Sequence, residues 1–189
     1  MIDPLTLPDD LPRPEDDGAA DHLPGTELPD LALAATDGSE VALAGLAGRA
    51  VVYAYPWTGR PGEPLLSEDW DLIPGARGCT PESCGFRDHH ADLRAAGAGA
   101  LFGLSTQDTA YQRELAERLS LPYPILSDER LELTRALALP TFEVAGRTLI
   151  KRLTLVIDDG RIEHAFYPIF PPDRHAGEVV AWLRANPPR

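Results

Sequence analysis

Blocks of continuous apolar residues alternate with amphipathic blocks along most of the chain. Short continuous apolar runs are typical of buried strands, and apolar positions that recur about every three to four residues are typical of helices that bury one face. This alternation predicts a single α/β domain in which helices flank a mixed central sheet. The predicted strands are residues 50–55, 99–104, 124–126, 149–157 and 162–166, and the predicted helices are residues 81–95, 109–119, 129–138 and 173–185.

Turn-forming and capping residues indicate where several of these elements begin or end. Asp158-Asp159-Gly160 stands between the last two predicted strands and has the chemistry of a hairpin turn. Thr80 followed by Pro81 predicts a helix that begins near residue 80, with the threonine as its N-cap. Asp173 is expected to cap the last helix in the same way.

The first 24 residues differ in composition from the rest of the chain. They are rich in proline and acidic residues and poor in β-branched residues. Such a segment predicts an arm that is flexible or lies on the surface. The folded domain is therefore expected to occupy residues 25–189.

Charge and hydropathy narrow the class of protein. The chain has 189 residues and a formal net charge of −13, and its isoelectric point near 4.7 argues against nucleic acid or an anionic membrane as the main partner. No apolar run approaches the length of a membrane span, and the N-terminus lacks the pattern of a signal peptide. We therefore expect a cytoplasmic protein, in which two nearby cysteines are more often catalytic or metal-binding than structural.

The chain contains two cysteines, Cys79 and Cys84, at the start of a predicted helix. Unpaired N–H groups at a helix start favour an anion such as a thiolate. Residues five apart on a helix are separated by roughly 8 Å, whereas a disulfide needs Cα atoms within roughly 7 Å. A bond between the two would require the first turn to unwind, which favours a cycling redox pair over a permanent crosslink. Two inert buried thiols are the alternative.

The segment from Gly78 to Asp88, with the sequence GCTPESCGFRD, resembles the signature of the Q-type peroxiredoxins, also called bacterioferritin comigratory proteins. That signature is a Gly-Cys-Thr turn with a second cysteine five residues later, followed by Phe-Arg-Asp. The resemblance covers about residues 25–186. It includes segments 28–38, 51–56, 103–106, 126–129, 151–158 and 160–162.

The resemblance implies a thioredoxin-like fold and a cofactor-free, metal-free thiol peroxidase acting on hydrogen peroxide and organic hydroperoxides. Cys79 matches the peroxidatic cysteine, which becomes a sulfenic acid. Cys84 matches the resolving cysteine, which would form an intramolecular disulfide that a thioredoxin-like reductant reopens. Arg152 matches a strand arginine expected to lower the thiolate pKa and stabilise the leaving oxygen. We expect a monomer, with a dimer left open.

The chain departs from the family pattern next to the first cysteine. The family carries a threonine three residues before that cysteine and a proline seven before it, where this chain has Ala76 and Leu72. A longer segment, residues 57–75, is inserted ahead of the cysteine turn. A loop of this length beside an active site could cover the site and select its substrate or partner. Thr58 is the candidate for the replaced hydroxyl, with Pro56 serving as the family's proline.

Two charged residues near the cysteines have two interpretations each. Arg77 replaces a proline of the family and could favour the thiolate, or it could only pair with acidic residues of the insertion. Glu82 could shape the site by pairing with a cation, or it could only complement the helix dipole.

Two other functions stay open. A relative that has lost peroxidase speed could act as a thiol redox sensor or disulfide exchanger, which the missing threonine would explain. A metal-binding module built from Cys79, Cys84, His89 and His90 is less favoured. The gap between the cysteines is wider than usual for ligands, and adjacent histidines on a helix diverge by about 100°.

Overall fold

A seven-stranded mixed sheet runs through the centre of the protein in this computed structural model, which describes residues 7, 8 and 10–188. The strand order is β2-β1-β5-β4-β3-β8-β9, and β6 and β7 form a separate hairpin. The central pairs β3–β4 and β4–β5 are parallel, and the other pairs are antiparallel. The strands are β1 Ala32–Ala35, β2 Glu40–Ala42, β3 Arg49–Ala54, β4 Ala100–Ser105, β5 Ile125–Ser127, β6 Thr141–Val144, β7 Arg147–Ile150, β8 Leu153–Asp158 and β9 Arg161–Phe166.

Helices and loops cover both faces of the sheet. Alternate residues of β3 point to opposite faces, so that Val51 and Tyr53 join one apolar cluster while Val52 and Ala54 join another. Side chains of α1, α2, α3 and α5 pack into the first cluster, and side chains of α4 pack into the second. The fold class predicted from the sequence is therefore confirmed. The helices are α1 Cys79–Asp88, α2 His90–Ala95, α3 Thr109–Arg118, α4 Glu132–Ala136 and α5 His175–Ala185, and two short 3₁₀ helices span Leu43–Gly45 and Trp70–Leu72.

The predicted helix over residues 81–95 and the predicted strand over residues 149–157 are each broken in two. The helix stops at His89, which caps α1 and precedes α2. The strand stops at Lys151 and Arg152, between β7 and β8. Phe86 and Leu93 keep a helical spacing across His89, so the apolar pattern did not reveal the first break. At the second break the charged pair Lys151-Arg152 interrupts the apolar run, and the prediction of one strand was wrong there. The β6–β7 hairpin was not predicted.

Both predicted N-caps are wrong. Gly78 caps α1 in a left-handed conformation with φ of 105°, which allows the helix to begin one residue before Thr80. Pro81 still lies in the first turn, where its missing N–H has no helical partner to lose. Helix α5 begins after Arg174 and has no side-chain cap, so Asp173 lies one residue too early to serve.

The described part of the N-terminal arm lies against the domain. Leu23 is fully buried in one of the two apolar clusters. Asp17 accepts hydrogen bonds from Nζ of Lys151 at 2.6 Å and from the Tyr167 hydroxyl at 2.7 Å. Pro14 lies beside Gly75, just ahead of the cysteine turn. The arm is thus attached next to the break between β7 and β8.

None of the helices in the described residues is long and apolar enough to cross a membrane.

Candidate active site

Cys79 is the first residue of α1, and its thiol is almost completely buried, with 3% of the residue exposed. The loop that carries it follows β3, at the edge where the carboxyl ends of parallel strands meet. Open α/β sheets bind ligands at this edge. The thiol lies 3.5 Å from the carbonyl oxygen of Ala76, to which it donates, and it accepts a hydrogen bond from Nη2 of Arg152 at 3.2 Å.

Arg152 links the thiol to the surrounding backbone. It lies at the break between β7 and β8, buried to 3% exposure. Its Nη2 also donates to the carbonyl oxygens of Gly75, Ala76 and Arg77, at 3.2, 3.3 and 3.1 Å. One guanidinium group therefore fixes the cysteine turn and contacts the sulfur.

Glu82 completes a buried group of three titratable residues. Its carboxylate is fully buried and pairs with Nη1 of Arg152. Burial raises the pKa of Glu82 to about 7, although the arginine opposes this shift. Of the two sequence interpretations, pairing with a cation matches this geometry, since the first-turn carboxylate lies inside the protein and contacts the catalytic candidate Arg152.

Burial also raises the pKa of the Cys79 thiol, against the direction that the sequence led us to expect. Arg152 and the backbone N–H of Trp57 lower this pKa, but the carboxylate of Glu82 raises it further. The cost of charging a sulfur that is shielded from water exceeds the stabilisation by its donors. The resting site therefore favours the neutral thiol.

Thr58 lies in the same region but hydrogen-bonds elsewhere. Its hydroxyl and its backbone N–H both donate to Oε1 of Gln107, at 3.0 and 2.9 Å, and Nε2 of Gln107 donates to its carbonyl oxygen at 3.0 Å. Thr58 and the preceding Pro56 are both buried. The insertion is thus joined to the loop after β4, and the Thr58 hydroxyl makes no hydrogen bond to the thiol.

Arg77 pairs with an acidic residue of the insertion. Its Nη1 lies 3.4 Å from Oδ1 of Asp71, and only 11% of its side chain is exposed. Its carbonyl oxygen, rather than its guanidinium, contacts Arg152. The second of the two sequence interpretations, pairing within the insertion, matches this geometry.

Cys84 lies further along α1 and is half-buried, and both cysteines are unbonded thiols. Burial raises the pKa of Cys84, while Arg87 lowers it. Because α1 is continuous between the two cysteines, a bond between them requires the first turn to unwind. Nδ1 of His89 donates to the carbonyl oxygen of Gly85. Within the described residues, no group of three or more His, Cys, Asp or Glu side chains could hold a metal ion.

The sequence analysis did not identify two buried polar residues, one that contacts the site and one that lies near it. Gln107 accepts a hydrogen bond from Thr58 and lies two residues beyond the end of β4. Because ligands bind at the carboxyl ends of parallel strands, this position could have been identified from the sequence. His175 is fully buried on α5, and its Nε2 lies 2.9 Å from the Thr154 hydroxyl. Burial, together with the charge of Arg152, lowers the pKa of His175 to about 3. No local pattern in the sequence indicates this histidine.

A cavity of about 690 Å³ opens onto the thiol. Most of its wall comes from the insertion, and its floor is the beginning of α1. The lining consists of residues 57–65, Trp70 and residues 77–81.

A buried thiol at a helix start, fixed by a buried arginine beside a helix-flanked mixed sheet, defines a thiol protein of the thioredoxin-like class. The Redoxin family matches residues 23–180 of the chain. Peroxiredoxin Bcp of Escherichia coli K12 is 32% identical over 173 residues, which cover 89% of this chain and 96% of that protein. The chain belongs to the Q-type peroxiredoxins of the Redoxin family.

Two further comparisons agree with this assignment. The chloroplastic peroxiredoxin Q of Oryza sativa subsp. japonica is 31% identical over 163 residues, covering 85% of this chain and 66% of that protein, so the chain spans about two thirds of the rice relative. The crystal structure of the peroxidoxin BcpB of Mycobacterium tuberculosis superposes with a TM-score of 0.69 at 27% identity, covering 88% of this chain and 99% of that one.

Proposed function

We propose that the protein is a thiol-dependent peroxidase that reduces hydrogen peroxide and organic hydroperoxides. The observation that carries this proposal is the 3.2 Å contact between Sγ of Cys79 and Nη2 of Arg152, at the floor of an open cavity. A fixed cation beside a nucleophile stabilises charge that develops as the nucleophile reacts, without reorganising during the step.

In the proposed reaction, the sulfur of Cys79 attacks one peroxide oxygen, an S–O bond forms and the O–O bond breaks. The leaving oxygen departs as water or an alcohol after it gains the thiol proton, and the cysteine becomes a sulfenic acid. Arg152 stabilises the negative charge shared by the two oxygens. Thr58 donates its proton to Gln107, so its hydroxyl oxygen is able to accept a hydrogen bond from the peroxide.

The proposed cycle closes through Cys84. Its thiol attacks the sulfenic sulfur, an S–S bond forms and water leaves, after α1 has unwound locally. A thioredoxin-like dithiol then reduces the disulfide by exchange. Pro56, Arg77 and Glu82 are proposed to support the site by shaping the loop and holding Arg152. A cytoplasmic location and a monomeric state remain predictions.

A second candidate function, a thiol sensor or disulfide exchanger, is favoured by the burial of Cys79, of which 3% is exposed. Burial raises the pKa of Cys79, and a thiol that is mostly neutral reacts slowly with peroxide. In this alternative the cysteines would still cycle, but at the rate of an unactivated thiol.

Stopped-flow oxidation of the reduced protein, followed by intact mass, separates the two candidates. We expect fast oxidation of the wild type with loss of two hydrogens, a sulfenic acid in Cys84→Ser, and no reaction in Cys79→Ser. Oxidation of the wild type at the rate of free cysteine would contradict the peroxidase and support the sensor.

A further inference from the structure

The side-chain amide of Gln107 makes three hydrogen bonds to a single residue, Thr58, at the start of the insertion. Its Oε1 accepts from the Thr58 backbone N–H at 2.9 Å and from the hydroxyl at 3.0 Å, and its Nε2 donates to the carbonyl oxygen at 3.0 Å. Both residues are buried, with 2% and 1% exposed. Among the described residues, no backbone group bonds to the N–H or the carbonyl oxygen of Thr58. Gln107 therefore takes the place of the backbone partners that a neighbouring strand would supply.

This pattern fixes the direction of the Thr58 hydroxyl. Nε2 of Gln107 must face the carbonyl oxygen and Oε1 must face the N–H, because an amide nitrogen donates and an amide oxygen accepts. The hydroxyl lies beside Oε1, so it gives its proton to the glutamine and keeps its lone pairs for other partners. Thr58 lines the cavity at Cys79, whereas Gln107 does not. An O–H group in that cavity therefore meets an acceptor in Thr58.

Gln107 is itself held at the end of the central sheet. Its backbone N–H donates to the Ser105 hydroxyl at 3.1 Å, and its carbonyl oxygen accepts from the Ser127 hydroxyl at 2.7 Å. Ser105 and Ser127 are the last residues of β4 and β5. Residues 55–69, by contrast, are all described and contain no helix or strand. A side chain carried by the sheet thus positions a residue of an irregular segment, and rigid elements are what hold a reactive site precisely.

We propose that Gln107 is a positioning residue of the peroxidase reaction, and that it acts through Thr58. It holds the hydroxyl oxygen of Thr58 as an acceptor for the O–H group of hydrogen peroxide at Cys79. Because the chain has Ala76 where the family carries a threonine, this acceptor comes from the insertion and needs support from a different part of the fold. The inference rests on the proposed peroxidase function, since it concerns the same thiol.

The first test replaces Gln107 with an apolar side chain of similar length. In a Cys84→Ser background, Gln107→Met should slow oxidation of Cys79 by hydrogen peroxide about tenfold, because the acceptor is no longer held in place. Alkylation of Cys79 by iodoacetamide needs no such acceptor and should not slow. Equal slowing of both reactions would show that Gln107 acts on the thiol in general, and no slowing of either would show that it does not act at all. Both results would overturn the proposal.

Gln112→Met is the matched control for this test. Gln112 is fully buried on α3 and donates to the Ser105 hydroxyl and to the carbonyl oxygen of Leu126. Among the described residues it makes no hydrogen bond to the insertion. We expect its rate of oxidation to match that of the parent protein, and a slowing as large as that of Gln107→Met would overturn the proposal.

The second test removes only the hydroxyl, so it decides the matter even where Gln107→Met does not fold. Thr58→Val keeps both backbone bonds to Gln107 and should slow oxidation by hydrogen peroxide about tenfold, and an unchanged rate would overturn the proposal. The double variant should also be slowed about tenfold, whereas a loss of about 100-fold would show that the two residues act independently. Oxidation of the parent protein at the rate of free cysteine would instead contradict the peroxidase function itself.

Discussion

Two buried titratable groups near Arg152 should make opposite contributions to the pH dependence of stability. Burial raises the pKa of Glu82 from 4.5 to about 7 and, with the charge of Arg152, lowers that of His175 from 6.5 to about 3. Between pH 4.5 and 7 the folded protein keeps a proton on Glu82 that the unfolded chain has released, so this group lowers stability as pH rises. Below pH 6.5 the unfolded chain protonates His175 and the folded protein does not, so this group lowers stability as pH falls.

Each of these contributions changes the free energy of unfolding by about 1.4 kcal/mol per pH unit. Between pH 5.0 and 6.5 they amount to about 2 kcal/mol each and oppose one another. In Glu82→Gln, the free energy of unfolding should therefore rise over this interval by about 2 kcal/mol more than in the wild type. In His175→Gln it should fall by about 2 kcal/mol more, and the double variant should regain the wild-type dependence.

Urea unfolding of the reduced proteins at pH 5.0 and 6.5 measures these differences. Asp88→Asn is a suitable control, because it makes the same change of acid to amide on α1, at a side chain that is 61% exposed. Only the difference in slope between variant and wild type is compared, so contributions of other groups cancel. Equal slopes in Glu82→Gln and the wild type would show that the folded protein holds Glu82 ionised at pH 5, contrary to the raised pKa.

Three further outcomes are expected. Arg152→Lys should slow oxidation of Cys79 by hydrogen peroxide about 100-fold, because one donor to the developing charge is lost; a loss below about tenfold would contradict that role. Glu82→Gln should lower the pKa of the Cys79 thiol, followed as thiolate absorbance against pH in a Cys84→Ser background, and an unchanged or higher pKa would exclude the expected repulsion. Asp17→Asn should speed proteolytic cleavage of the N-terminal arm with little change in the unfolding midpoint, since exposed ion pairs contribute little; unchanged cleavage would show that the arm is held by other contacts.

The elements that the sequence predicted well are those in which the local order of apolar and polar residues indicates which residues are buried. Strand β3 was predicted at residues 50–55 and lies at Arg49–Ala54, where every residue is buried. Helix α5 ends at Ala185, as predicted. The two cysteines were identified from their place at a predicted helix start, and Arg152 was identified from the resemblance to a known family. The structure brings Cys79 and Arg152 together.

What the sequence did not reveal depends on residues that are distant along the chain. Thr58 and Gln107 are 49 residues apart, and nothing local to the threonine indicates that a glutamine accepts from its hydroxyl. The direction of the pKa shift of Cys79 depends on how deeply the thiol is buried. The sequence motif shows which groups lie near the thiol, but it does not show how far the sulfur is shielded from water. The motif therefore suggested a thiolate, whereas burial favours the neutral thiol.

The attachment of the N-terminal arm bears on how this protein should be prepared for study. The family match begins at residue 23, so a recombinant protein trimmed to that match would lack Asp17 and its bonds to Lys151, the neighbour of Arg152. It would also lack Pro14, which lies beside Gly75, whose carbonyl oxygen accepts from Arg152. Kinetic constants of a trimmed protein would thus be measured with Arg152 less firmly positioned. Comparison with shorter relatives should therefore use the full chain.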